Sequence, residues 1–453
     1  MANANPMNGK PKKKVTFGVE FELFTLDKTG KMANNAAQLI ESVKKKYPAI
    51  DIVKECGKNM VEMRSAPDAS IPNAMLKILE DFECVLHNAE AENIVLYPYG
   101  TYPGEFEPLI NEDKAYRIKE KILGRKRFSI AARCIGMHCH YSLPKGVFDF
   151  SNKFLNILAT TKNKDILSNM YNLFIAVDPA LTTFTQSSPF YQGKYVGKDS
   201  RVIVYRGGRP FNFPGGLYEN YPEFGALQPY KLTHIDFSEI IQKQFYLWNR
   251  IISSFDVNLS SFARYGSILD TTWNPVRINA HGTMEQRGMD MNRPGITVAI
   301  ATLVKAISVA VHTNYLEVEA SLDAISKPFR FEGNTIFIPP HPYVRNNLQY
   351  KAAVKGMEDN DIYIYCSSLI ELGKKFLDKK SLVLLKPLEA MLESRKTVSD
   401  EIVELAKKQG IDVTGKLSDE NASQLALLLS NELFKDILLT KQSLIDVGNN
   451  AAD

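Results

Sequence analysis

The 453-residue sequence predicts an α+β fold, and three observations carry that expectation. Strand-like segments with polar residues on a shared face recur at residues 15–24, 59–65, 131–141 and 273–287. Apolar segments of helical spacing and length lie between them. After about Pro342 the chain becomes rich in Lys, Glu and Leu and carries helix-capping signals.

In chain order, residues 1–13 are rich in Asn, Pro, Gly and Lys without apolar periodicity, and are expected to form a disordered tail or an expression remnant. From Lys14 onward VTFGVEFELF alternates: Val15, Phe17, Val19, Phe21 and Leu23 share one strand face, and Thr16, Gly18, Glu20 and Glu22 share the other. A helix is expected from about Asn34 to Tyr47. In a second extended segment, Asn59 to Ser65, Met60, Glu62 and Arg64 oppose Val61 and Met63. The next helix runs from about Pro72 to Ala91, with Ser70 as its cap. Ile94–Tyr99 and Ala131–Tyr141 read as strands, and residues 164–186, 236–254 and 294–320 as core helices. The Gly-, Pro- and aromatic-rich stretch 187–232, including SSPFYQGKY and RGGRPFNFPGG, predicts long ordered loops over a site. Trp273–Arg287 reads as two strands joined by a turn at Asn279–Gly282. Ser399 with Asp400 and Glu401 opens a helix that Gly410 closes, and Ser418 with Asp419 and Glu420 opens another. The expected organisation is a tail (1–13), a catalytic domain (14–345) and a helical C-terminal region (346–453).

Composition excludes several function classes. The net charge of +4 arises from 55 basic and 51 acidic residues, and the basic ones are scattered, unlike the basic stripe of a nucleic-acid binder. Five cysteines without a CxxC pair fit a reducing, cytoplasmic setting rather than a disulfide framework or zinc ribbon. No stretch approaches the roughly 18–20 uninterrupted apolar residues of a membrane span, so a soluble protein is expected. GxxxxGK[ST] and post-strand GxGxxG motifs are missing, which argues against P-loop and Rossmann nucleotide binding.

Chemistry concentrates in same-face pairs: Glu20 with Glu22, Glu62 with Arg64, His138 with His140, and Glu285 with Arg287. One such pair is ordinarily a solvated sheet face. Four recurring pairs suggest convergence, and converging carboxylates need cations between them. Several Glu with one His form the oxygen-rich set that Mg²⁺ or Mn²⁺ prefers. The HxH of GMHCHYS leaves open a zinc-dependent hydrolase, although the other five histidines show no metal-ligand spacing, and which of His138 and His140 would be a ligand stays open. Arginines such as Arg133, Arg201, Arg264 and Arg277 ordinarily form ion pairs. Arg287 stands out because it shares a face with Glu285, where a guanidinium can neutralise a transferring phosphoryl group.

The motifs GVEFEL, GTYP (Gly100–Pro103), GMHCH, SSPFYQG (Ser187–Gly193) and GTMEQRGMD (Gly282–Asp290), in this order, resemble the type 2 glutamate-cysteine ligase family, which includes carboxylate-amine ligases. The resemblance runs from about Lys14 to Arg345. It implies a curved antiparallel sheet of glutamine-synthetase type with flanking helices, wrapped around a metal cluster. It also implies an ATP- and Mg²⁺-dependent (or Mn²⁺-dependent) ligase in which a carboxylate attacks the γ-phosphate and an amine converts the acyl phosphate to an amide, γ-glutamylcysteine being the first candidate product. By the same resemblance Glu20, Glu22, Glu55, Glu62, His138 and Glu285 are metal ligands. Arg287, at the transferred phosphate, Glu285 and Arg201, facing phosphate or the substrate carboxylate, are catalytic, and Arg264 and Arg133 are candidate nucleotide contacts beside Arg287 and Arg201. Partners are then small molecules, glutamate or another carboxylate and cysteine or another amine, and a homo-oligomer is compatible with the sequence. Two departures, Tyr141–Ser142 after the HxH and a loop from Gly193 to Arg201 one residue short, lie where substrate should bind and leave the amine open. A non-catalytic nucleotide-binding relative is a further alternative.

Overall fold

The computed structural model describes residues 15–255, 267–322 and 327–449. Its central element is a seven-stranded sheet of β1 (Phe17–Leu26), β2 (Ile52–Lys54), β3 (Met60–Arg64), β4 (Val95–Tyr97), β5 (Gly136–Ser142), β6 (Val276–Ile278) and β7 (Thr283–Asp290). The strand order is β6-β7-β5-β1-β3-β2, with β4 paired to the end of β1, and every pairing is antiparallel. The helices used below are α1 (Ala36–Lys46), α2 (Ile71–Ala91), α3 (Lys114–Leu123), α4 (Thr161–Thr185), α5 (Ser200–Arg206), α6 (His234–Ser254), α7 (Pro294–Asn314), α8 (Asn360–Lys374), α9 (Val398–Lys408), α10 (Asp419–Asn431) and α11 (Leu433–Asn449).

The alternation in β1 decides what each sheet face does. Phe17, Val19, Phe21 and Leu23 are buried on the apolar face, where Phe21 meets Phe82 of α2 with ring centroids 6.2 Å apart. Helix α4 backs β7 on the same core and is buried almost throughout from Ile166 onward. Helix α7 is long and apolar enough to cross a membrane by length and composition, yet it is mostly buried among α2, α4, α8 and α11. One apolar cluster extends from Phe17 to Val447, so the helices after residue 345 share the core of the sheet.

Three sequence expectations need correction. Ala131–Arg133 belong to a short 3₁₀ turn (Ser129–Arg133) rather than a strand, because the Arg133 side chain is anchored locally by Ser129 Oγ at 2.7 Å and the Phe106 carbonyl at 3.2 Å. The 294–320 helix ends at Asn314, where Tyr315 turns left-handed (φ 57°), and Glu317–Ala320 instead pairs with Thr335–Ile338 in a separate three-stranded sheet. Thr397 rather than Ser399 caps α9, in a capping box with Asp400, while Ser399 Oγ donates to the Lys198 carbonyl at 2.5 Å. Gly410 follows that helix at φ 74°, and Ser418 caps α10 through the Asn421 N–H.

Gly100 of the GTYP segment lies directly against Asp290 at the end of β7. Asp290 accepts hydrogen bonds from the Ser187 N–H (3.0 Å) and Ser188 Oγ (2.6 Å), tying three sequence motifs together. A Cβ at Gly100 would stand 2.4 Å from the Asp290 carboxyl carbon. Gly100→Ala is therefore expected to cost about 2–3 kcal/mol, as overpacking beside a buried polar network does. Urea unfolding measures it, and an unchanged midpoint would contradict this packing.

Candidate active site

Strand register assembles the polar face residue by residue. Glu20 lies opposite Arg64 on β3 and His138 on β5, Glu22 lies opposite Glu62, and Glu285 on β7 lies opposite His140 on β5 and Arg277 on β6. Directly opposed residues on antiparallel strands project to one side. Glu55, just beyond β2, joins them. Three overlapping sets of ligand atoms lie within 4.8 Å of one another: Glu20–Glu62–His138, Glu20–His140–Glu285 and Glu22–Glu55–Glu62.

Electrostatics show how unevenly these carboxyls are compensated. Burial, then the charges of Glu55 and Glu20, pushes the Glu62 carboxyl well above the usual range, although Arg64 Nε donates to it at 2.6 Å. Burial also raises Glu22, against the opposing effects of His138, Arg201 and the Gly136 N–H, which donates to it at 2.5 Å. Glu20 goes the other way, because hydrogen bonds from His138 and His140 outweigh its burial. For Glu285, Arg277 and Arg287 outweigh burial and hold the carboxyl low.

The two histidines have different hydrogen-bonding situations. His138 Nδ1 is 2.9 Å from Glu20 Oε2. A carboxylate only accepts, so Nδ1 carries a proton toward Glu20. His138 Nε2 is buried, 3.5 Å from Glu22 Oε1, with no hydrogen-bond partner among the described residues. His140 Nδ1 instead lies 3.1 Å from Asn279 Nδ2, whose amide is oriented by the His281 and Thr283 N–H groups donating to Oδ1. Thr283 Oγ1 also lies 3.1 Å from His140 Nδ1, and His140 Nε2 is 3.3 Å from Glu20 Oε2.

Arginines form the other part of the site. Arg277 Nε donates to Glu285 Oε2 at 2.9 Å, and Arg287 Nη1 lies 3.5 Å from Glu285 Oε1. Arg201, on α5, donates through Nη2 to the Arg287 carbonyl at 3.1 Å and leans over the Tyr205 ring. All of these residues line one cavity of about 270 Å³, together with Glu55, Tyr116, Lys119, Tyr218 and Trp273. Lys119 sits 3.9 Å above the Trp273 ring, and burial pushes its ammonium down to about 8.

Of the residues singled out from sequence, Glu20, Glu22, Glu55, Glu62, His138, Glu285, Arg287 and Arg201 all line this cavity. Arg133 does not. Its guanidinium is tied to Glu107 at 2.5 Å, Ser129 and the Phe106 carbonyl, outside the lining of that cavity. Arg264 lies outside the described residues. Lys119 and Asn279 were not singled out as site residues, and Arg277 only as a surface ion pair; position opposite Glu285 across the predicted hairpin was the available signal for Arg277.

Fold and face together describe a mixed helix-and-sheet protein with a buried carboxylate–imidazole–guanidinium cavity. The chain belongs to glutamate-cysteine ligase family 2 (GCS2), whose profile matches residues 16–364, a span holding all seven strands of the sheet. A protein of Corynebacterium glutamicum (strain R) carrying the name "Putative glutamate--cysteine ligase 2" is 24% identical over 207 residues, 44% of this chain and 50% of that protein. "Putative glutamate--cysteine ligase 2-3" of Nocardioides sp. is 25% identical over 218 residues, 47% and 52% of the two chains. The chain thus matches about half the length of these curated relatives. Among solved structures, a glutamate–cysteine ligase from Francisella tularensis in complex with AMP superposes with a TM-score of 0.60 at 14% identity, covering 97% of this chain and 94% of that one. A bifunctional glutathione synthetase from Pasteurella multocida gives 0.57 at 14% identity, covering 93% and 53%. At these identities the likeness is one of fold.

The raised Glu62 and Glu22 carboxyls set a pH dependence. In the metal-free protein they cost nothing while protonated in both folded and unfolded states. Stability falls as pH rises from the ordinary carboxylate range through the raised folded values, where they become buried charges. A bound divalent cation offsets that charge. Mn²⁺ is therefore expected to raise the melting temperature more at pH 8 than at pH 5.5, and Glu62→Gln to stabilise the metal-free protein while shrinking the Mn²⁺ increment. Thermal melts check both; equal increments at the two pH values would exclude this coupling.

Proposed function

We propose that the chain is an ATP- and Mg²⁺- or Mn²⁺-dependent carboxylate–amine ligase that forms a γ-glutamyl amide through an acyl phosphate. Glutamate is the proposed carboxylate, and cysteine or another amine the acceptor. The observation that carries this reading is the convergence of Glu20, Glu22, Glu55, Glu62, Glu285 and His138 in one cavity with Arg287 and Arg201. Under this reading the sheet is of glutamine-synthetase type and residues 14–345 form the catalytic part. Family membership and the likeness in fold to the Francisella tularensis ligase support it.

The donor set fits a hard divalent cation: buried carboxyls only partly compensated, with the Nε2 atoms of His138 and His140 unpartnered among the described residues. Glu20, Glu62 and His138 would hold one cation, and Glu22, Glu55 and Glu62 another. Such cations, when bound, offset the triphosphate charge and polarise the transferred phosphoryl group. The chain's own residues supply the rest. Glu285 fixes Arg287 and Arg277 in the cavity, where guanidinium groups can stabilise the charge that develops as the substrate carboxylate attacks phosphorus. Arg201 and Lys119 add further positive charge on the cavity walls.

With ATP, Mg²⁺ and glutamate, release of phosphate is expected to rise on adding cysteine or another member of an amine panel. Arg287→Ala should lower kcat by roughly 10²–10³, as loss of one transition-state charge donor does. If no amine raises turnover above background, the ligase reading fails; one tightly held zinc per chain in the purified protein would favour the hydrolase instead.

A further inference from the structure

The loop RGGRPFNFPGG, which the proposed reaction does not use, walls a second cavity of about 410 Å³. It is a built loop rather than a slack one. Gly208 N–H donates to the Phe213 carbonyl at 2.7 Å, and Gly207 crosses Gly216 so closely that a Cβ on either would stand 2.4 Å from the other's Cα. Three arginines line the cavity: Arg206, Arg209 and Arg345. The Arg206 side chain is only 9% exposed, its nearest carboxylate is Asp178 at 3.5 Å, and its Nη1 has no hydrogen-bond partner among the described residues. Burial depresses its pKa, and the neighbouring carboxylates only partly restore it. No ion pair or hydrogen bond joins the side chain of Arg209 or Arg345 to a described residue.

The carboxylates nearby are already engaged. Glu219 accepts from the Gly215 N–H at 2.7 Å and pairs with Arg127 at 3.2 Å, and Asp178 accepts from Gln349 at 2.6 Å. The cavity is left with an excess of guanidinium groups beside flat apolar surface from Phe211 and Tyr350. Guanidinium forks match carboxylate and phosphate oxygens two at a time. In a larger cleft of about 710 Å³ beside α9, four lysines (Lys194, Lys198, Lys407 and Lys416) meet three lining carboxylates (Glu358, Asp400 and Glu404), and Lys198 is bound by Glu358 and Asp400 and Lys416 by Glu105.

Two elements are common to this cavity and the reaction cavity. Tyr218 lines both and stacks on Trp273 at 6.0 Å with the rings 9° from parallel. Helix α5 carries Arg201 to one and Arg206 to the other. We propose that the Arg206–Arg209–Arg345 cavity binds a small polyanion bearing two or more carboxylate or phosphate groups, and that its occupancy is transmitted to the reaction cavity through Tyr218 and α5. This goes beyond the proposed ligase reaction and needs no turnover to test.

The full chain, free of metal and ATP, is titrated separately with tricarballylate and with inorganic pyrophosphate, followed by calorimetry and by tryptophan fluorescence. Saturable heat with a change in tryptophan emission from the Trp248–Trp273 pair is expected for at least one probe, and the probe that responds identifies the carboxylate or phosphate chemistry. Arg345→Ala, and Arg209→Ala as a second exposed-side variant, should weaken binding about tenfold, the loss expected for one charge-assisted pair. Arg287→Ala should leave it within about twofold, well under the free-energy worth of such a pair. No heat with either probe, or binding lost in Arg287→Ala and retained in Arg345→Ala, overturns the site. Heat without an emission change overturns the transmission.

Discussion

Opposition of like charges across a buried antiparallel ladder is the constraint on which the rest of this structure depends. Glu22 faces Glu62 across adjacent strands, with Glu55 and Glu20 close by, and both Glu22 and Glu62 are buried. Two unit charges about 4 Å apart repel by about 4 kcal/mol at an effective dielectric of 20. A sheet left to itself would relieve that by slipping register. It cannot, because the other side of β1 is an apolar row, and a one-residue slip would turn Phe17, Val19, Phe21 and Leu23 into the polar cavity. Hydrophobic burial against α2 thus holds the carboxyls in an arrangement that protonation relieves at low pH and that bound cations relieve at higher pH.

Compensation within the chain is partial and distributed by strand. Arg64 covers Glu62 from the solvent side, the Gly136 N–H covers Glu22, and Arg277 with Arg287 covers Glu285. What is left unneutralised lies between β1, β3 and the loop after β2. The helices beyond residue 345 contribute from behind: α11 packs on α2 and α7, and α8 on α4 and α7, so the apolar side that fixes register is itself clamped.

Strand parity made much of this legible in the sequence. The period-two pattern of residues 15–24 placed Glu20 and Glu22 together, and the same reading brought in Glu62, His138 and Glu285. It could not rank arginines. Arg133 and Arg201 look alike in sequence, yet one is consumed by Ser129 and Glu107 while the other reaches the cavity. Lys119 was invisible for a different reason: it arrives on α3, whose approach to Trp273 is a tertiary event with no periodic signature. The misplaced helix ends at 294–320 and at Ser399 are local: Val318 continues an apolar spacing that also suits a strand, and Ser399 is a plausible cap two residues inside the cap the chain uses.

A bulge in β7 explains how one strand serves both carboxylate and arginine chemistry. Gln286 pairs with Cys139 and Met289 with Met137, so β7 spends one residue more than β5 over this stretch. That extra residue takes the Arg287 backbone out of the ladder. Its N–H donates to the Pro275 carbonyl at 2.8 Å and its own carbonyl accepts from Arg201. Gly288 makes the bend feasible, since a Cβ there would stand 2.6 Å from Asp178 Oδ1. Asp178 in turn is the carboxylate nearest Arg206. The irregularity therefore joins Arg287 to Arg201 of α5 by a hydrogen bond and sets its neighbour Gly288 against Asp178, which pairs with Arg206 of the same helix. A displacement of α5 cannot leave the Arg287 backbone where it was without breaking one of those contacts.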